Sequence, residues 1–107
     1  MSDIAAKRHK PGGPLRLTLY VAGGSAASAA ACANLEAILA ELGTGLRPAI
    51  VDVFAAPEVA MKQRIFVTPA LLVESAQGRE MVVGDLRLRA PVLDLLRSLQ
   101  GLPARTG

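Results

Sequence analysis

Few side chains in this 107-residue chain can do covalent chemistry. Cys32 is the sole cysteine and His9 the sole histidine. A single thiol forms no internal disulfide and no thiolate-based zinc cluster, which removes disulfide scaffolds and zinc fingers. His9 stands among Lys7, Arg8 and Lys10, just before Pro11-Gly12-Gly13-Pro14. It reads as part of a flexible basic leader over 1–14, away from any core serine or cysteine it would have to activate. Gly23-Gly24 lacks the spacing of a phosphate-binding loop, and no G-x-x-x-x-G-K segment occurs. Asp52 and Asp85 end apolar runs without a partner base or further metal ligands, so they read as solvated or capping carboxylates. Cys32 reads as a small buried apolar residue, with a monothiol redox role as the residual enzyme reading.

Composition sets the frame for these residues. The chain is 51% hydrophobic and 3% aromatic, without Trp, so its core is built from Ala, Leu, Val and Ile. It is long enough for one domain, placed at 15–100, with a short tail at 101–107. No apolar run reaches the ~18 residues of a membrane span, and no apolar signal core follows the basic start, which reads as a cytosolic protein. The net charge of +3 resides in the leader and tail. Eight basic residues (16, 47, 62, 64, 79, 87, 89, 97) balance eight acidic ones (36, 41, 52, 58, 74, 80, 85, 94) in the domain. That balance gives no reason to expect a nucleic-acid face.

Periodicity orders the elements. Leu15 to Ala22 alternates Leu15, Leu17, Leu19 and Val21 against Arg16, Thr18 and Tyr20, the period of a strand. A helix follows, capped by Ser25 or Ser28, with Ser28, Ala31, Cys32, Leu35, Ile38, Leu39 and Leu42 on one stripe and Gly43 and Gly45 at its end. Leu46 to Val53 is a second strand, with Pro48 marking an exposed start. Pro57 opens a short helix over 57–64. Ala70–Val73 and Met81–Val83 form a hairpin around Gln77-Gly78. Leu86 to Leu99 closes the chain as a helix with Leu88, Val92, Leu95, Leu96 and Leu99 on one face.

The order β-α-β-α-β-β-α is that of a thioredoxin-like α/β fold, helices covering both faces of a four-stranded sheet. Redox members place Cys-x-x-Cys where the first strand enters the first helix, because the helix N-terminus stabilises a thiolate. Here that position reads Ser25-Ala26-Ala27-Ser28, so dithiol exchange has no residues to run on. Thr68-Pro69 stands where this fold opens its third strand with a proline.

Leu19-Tyr20-Val21-Ala22-Gly23, Ser28, Val51-Asp52-Val53, Pro57, Ala60, Ile65, Thr68-Pro69, Leu71 and Gly84-Asp85-Leu86, in that order, resemble the KaiB family of bacterial clock proteins from about residue 15 to 99. The resemblance implies a non-enzymatic regulator, without cofactor or metal, that binds the N-terminal ATPase ring of a KaiC-type hexamer. In the cyanobacterial clock such binding sequesters KaiA and recruits histidine-kinase output proteins. It also implies two folds, a tetrameric β-α-β-β-α-α-β state and a thioredoxin-like state that binds KaiC. Pro69, Gly84, Asp85, Leu95 and Arg97 are the fold-defining positions. Leu95 and Arg97 replace Gly and Asp of cyanobacterial members, and both favour a continuous last helix, so the thioredoxin-like state is expected to dominate.

The KaiC-facing surface carried over by position is Pro57 to Phe66, with Pro57, Met61, Lys62, Gln63, Arg64 and Phe66 as its residues. Arg64 stands where the family usually has Lys, and its planar fork can pair bidentately with a carboxylate. The alanine-rich first helix, the 43–48 segment and the non-acidic tail depart from cyanobacterial members. They leave KaiA binding unsupported and a KaiA-like partner an open question, while the Ala/Leu/Arg-rich bias suits a non-cyanobacterial protein acting as a timer or stress regulator. Competing readings are a stand-alone sensor module of a histidine-kinase pathway and the monothiol redox protein. Self-association as a dimer or tetramer stays open, because an apolar helix face serves an interface or a core equally.

Overall fold

Strand β1 (Arg16–Val21) is buried along its whole length except Arg16. Alternation alone predicts a half-buried strand; here Tyr20 and Thr18 are buried as well as the leucines, because β1 lies inside the sheet between β2 and β3. The structure, a computed structural model, describes residues 15–76 and 78–101. The expected leader 1–14, Gln77 of the hairpin turn and the tail from 102 lie outside the described residues.

After β1 come α1 (Ala26–Leu42), β2 (Pro48–Asp52), α2 (Pro57–Lys62), β3 (Ala70–Ser75), β4 (Gly78–Val83) and α3 (Arg89–Leu99). The sheet order is β2-β1-β3-β4. β2 runs parallel to β1, with Leu17 opposite Pro48 and Val21 opposite Asp52. β3 is antiparallel to β1, and β4 to β3. This is the thioredoxin-like α/β architecture the element order predicts. Pro48 sits on an edge strand, where the missing N–H removes no ladder bond. The Thr68–Pro69 peptide is cis.

The sheet's two faces are covered unequally. On one, Leu17, Leu19, Val21, Leu71 and Val73 meet Ala31, Leu35, Ile38 and Leu42 of α1 and Val92, Leu93 and Leu96 of α3. Each leucine fully buried there contributes roughly 1.5–3 kcal/mol. On the other, Tyr20, Ala70 and Leu72 are covered by Ala60 of α2 and Ile65.

Two helix readings change. The last helix starts at Arg89, not Leu86. A helix from 86 would place Pro91 in its second turn, where the absent N–H and the ring break the ladder; from 89 it falls in the first turn. Leu86 instead adopts a left-handed conformation (φ 64°) and is buried, while Leu88 is 73% exposed and Leu93 takes the core position expected for it. Cys32 is half-buried at the margin of the core rather than within it, because the buried stripe of α1 runs through Ser28, Ala31, Leu35, Ile38 and Leu42.

Leu95 and Arg97 both lie within continuous helix, half-buried, with Arg97 in the last turn. Leu95→Gly combines lost helix propensity with lost packing. It should lower the unfolding free energy by about 2 kcal/mol, read from the urea midpoint. An unchanged midpoint, or strand rather than helix at 92–99 by NMR of the free protein, would refute the dominance of this fold.

Candidate partner-binding surface

The end of the sheet where β1 and β2 finish is built from turns locked by backbone capping. Asp52 Oδ1 accepts hydrogen bonds from the backbone N–H of Phe54 (2.9 Å) and of Gly23 (3.1 Å). One carboxylate thus ties the β2–α2 turn to the β1–α1 turn, so of the two readings, solvated or capping, Asp52 takes the second. Gly23 has φ +56°, and a Cβ there would lie 3.3 Å from Phe54 Cδ2. Glycine is required on both counts.

The serines at the start of α1 are used up in the same way. Ser25 Oγ accepts from the Ser28 N–H (3.1 Å) and donates to Ser28 Oγ (2.9 Å), while Ser28 Oγ accepts from Ala22 N–H (3.0 Å). Ser25 is the N-cap, and Ser28 extends the cap back into the end of β1. The position that holds a dithiol in redox proteins of this fold therefore serves as a hydrogen-bonded cap.

Helix α2 has no side-chain cap, but Pro57 opens it, Glu58 lies in its first turn and Lys62 in its last. These placements suit the missing N–H of proline and the helix dipole. The helix ends two residues earlier than its apolar pattern predicts. Ile65 N–H bonds to Ala60 O (2.9 Å) and Arg64 N–H to Met61 O (3.1 Å), the paired bonds of a Schellman motif. Ile65 also packs with Ala60 in the small core, supplying the motif's apolar contact. Arg64 holds the left-handed position that glycine usually takes, with φ 60°. For a residue with a Cβ that conformation costs roughly 1–2 kcal/mol.

Around this exit the surface is apolar. Phe66 is 84% exposed, Phe54 76% and Met61 75%, and Val67 and Val83 are exposed with them. Strand register puts Phe54, Val67 and Val83 at one end of the sheet, since Val21 faces Asp52, Tyr20 faces Ala70 and Ala70 faces Val83. Met61 and Phe66 continue the patch from α2 and its exit. Clustered exposed apolar side chains of this kind mark docking surfaces.

The structure thus groups Pro57, Met61, Lys62, Gln63, Arg64 and Phe66 on one short segment, all exposed but the half-buried Gln63. Phe54, Val67 and Val83 were missed. Phe54 was findable, as one of two phenylalanines and directly beyond a strand-ending Asp. Of the fold-defining residues, Pro69 and Gly84 meet, with Gly84 N–H bonded to Pro69 O (2.9 Å). Asp85 ties to α1, its carbonyl accepting from Asn34 Nδ2 (2.8 Å), and its carboxylate caps Arg87 N–H (3.1 Å). Leu95 and Arg97 belong to α3, on the opposite face of the sheet. Among the described residues no group of His, Cys, Asp and Glu could hold a metal, and no helix is long and apolar enough to cross a membrane.

Such a sheet, with hydrogen-bonded cap serines at the dithiol position, defines a thioredoxin-like fold. Comparison with solved structures agrees on the fold. Fasciola hepatica thioredoxin superposes with a TM-score of 0.67 at 16% identity, covering 92% of each chain. The N-terminal domain of Synechococcus elongatus SasA gives 0.65 at 24% identity, over 78% of this chain and 80% of that one. The family described as KaiB domain matches residues 18–98. Circadian clock protein KaiB3 of Synechocystis sp. is 35% identical over 78 residues, 72% of this chain and 76% of that protein. The chain belongs to the KaiB family.

Arg64→Gly removes the left-handed penalty while making the unfolded chain more flexible. The balance should raise stability by about 0.5 kcal/mol, near 3 °C in melting temperature for a domain of this size. Lowered stability by calorimetry would show that the Arg64 side chain makes a stabilising contact that outweighs its backbone strain.

Proposed function

We propose that this protein is a non-enzymatic regulator that binds the N-terminal ATPase ring of a KaiC-type hexamer in the cytosol, in a clock, timer or stress response. Family membership supports the partner class. The single observation that carries the binding surface is Arg64, strained at the exit of α2 and exposed beside Met61 and Phe66. A backbone conformation that glycine would adopt at lower cost is kept with an arginine, and local strain of this sort gathers where a side chain has a binding task. The exposed guanidinium would pair with a carboxylate on the ring, while Phe54, Met61 and Phe66 supply the apolar contact that is removed from water.

Mixing the protein with the KaiC-type ATPase of its own organism and ATP should give a ring carrying several copies, seen by native mass measurement. Arg64→Gly, the stabilised variant, should bind about tenfold more weakly, the loss of a charge-assisted hydrogen bond. Cys32→Ala should bind as the unaltered protein does. Failure of every form to bind, including to phosphomimetic KaiC, would remove the ATPase as partner. Loss of function on Cys32→Ala alone would favour a thiol mechanism.

A further inference from the structure

The sheet face under α2 stays open along the starts of β1 and β2. There Arg16, Thr18, Tyr20, Arg47, Gln63 and Glu74 line a groove of about 550 Å³. Its floor holds two hydroxyl side chains that are almost wholly buried, Tyr20 at 3% exposure and Thr18 at 9%. Neither hydroxyl has a protein hydrogen-bond partner among the described residues, and neither oxygen is sealed from solvent, so both are open to the groove. Burial raises the Tyr20 pKa, Glu74 adds to the rise and Arg79 opposes it, so both charges are felt at this ring.

The charges at the lower end are unbalanced. Arg47 immediately precedes β2, and Pro48 faces Leu17, so Arg47 stands next to Arg16 where the two segments enter a ladder with strands about 4.8 Å apart. Glu74 faces Arg16 across the other ladder, yet among the described residues no ion pair forms between them, and none involves Arg47. Arg79, opposite Glu74, directs Nη2 toward the Gln63 carbonyl at 3.5 Å. Three cations therefore share one row with a single carboxylate, and like charges on neighbouring strands repel.

We propose that this groove docks an extended acidic segment of a partner protein, a carboxylate bridging Arg16 and Arg47 and the next side chains on that face meeting Thr18 and Tyr20. The spacing fits that occupant. Arg16, Thr18 and Tyr20 recur every second residue along β1, about 6.6 Å apart, which is the same-face repeat of any extended chain. Ala49, Val51 and Val59 give the groove an apolar wall that a small free anion would leave uncovered. A single-stranded nucleic acid fits less well, because the only aromatic in the groove, Tyr20, is buried and offers no ring face for a base to stack on.

The test is titration of the isotope-labelled full-length protein, followed by NMR, with a capped heptapeptide alternating glutamate and alanine. Amide shifts should concentrate at Arg16, Thr18, Tyr20, Arg47, Ala49 and Gln63, and weaken in about 0.5 M salt. Arg47→Gln, an exposed change outside any strand, and Arg16→Gln should each reduce peptide affinity about tenfold with the rest of the spectrum preserved. Four outcomes would overturn the proposal: no shifts at millimolar peptide; equal shifts with the lysine–alanine peptide; citrate binding as tightly at matched carboxylate concentration, which would make the site one for a free anion; or an oligonucleotide binding more tightly than the peptide. None of these readouts involves the KaiC-type ATPase, so this inference and the proposed function fail separately.

Discussion

A sheet with two apolar faces needs cover on both, and this chain has enough helix to cover only one of them fully. Helices α1 and α3 close one face over Leu17, Leu19, Leu71 and Val73. The six residues of α2 close the other over little more than Tyr20, Ala70 and Leu72. Everything of functional interest follows from that imbalance. A helix so short is held by its ends more than by its own ladder, and what it fails to cover is left as surface.

The ends of α2 show how this is managed. At its start, Asp52 joins the turns after β1 and β2 and seats Phe54 against Gly23. At its finish, the bonds from Ile65 to Ala60 and from Arg64 to Met61 turn the chain back into the core within three residues. That tight exit forces Arg64 into the left-handed region and sends Phe66 outward just after Ile65 has gone in. Exposure at the patch is thus a consequence of how the helix is terminated, and the strain and the apolar surface are one feature.

Much of the architecture was legible because it rests on periodicity. The leucines of β1, the α1 stripe and the Pro57 helix start announce themselves at fixed spacing, and Ser25-x-x-Ser28 could be read as a cap by position. What was not legible depends on backbone conformations that ordinary residues reveal poorly. Nothing in the residue types marks Leu86 or Arg64 as left-handed, since glycine is the usual signal. The early end of α2 and the late start of α3 were missed for that reason, and with them the exposure of Leu88. Cys32 failed differently, because residues at the edge of a helical stripe are sorted by how far the partner element extends, and β2 is too short to cover it. The patch was half legible, since the α2 residues came from a family resemblance and Phe54, Val67 and Val83 needed the strand register to be brought together.

Charge was the most misleading of the sequence signals. Eight positive and eight negative residues in the domain sum to zero, and that neutrality gives no sign of a charged face. The fold separates them. Asp52 and Asp85 are spent on turns, Glu36 and Glu41 lie on α1, and strand alternation turns Glu80 away from Arg79. Asp94 lies on α3 and Glu58 in the first turn of α2, and Glu74 is the carboxylate that lines the groove with Arg16 and Arg47. Glu36 approaches Arg47 from the other side, where the two line a second pocket, so the field a partner meets is set by the side chains local to the groove and not by the total. Gln63 joins the row to the α2 exit, lining the groove while its carbonyl receives Arg79 and the next residue is Arg64. The uncovered half of the sheet and the strained end of its covering helix are therefore contiguous, and a partner engaging one necessarily approaches the other.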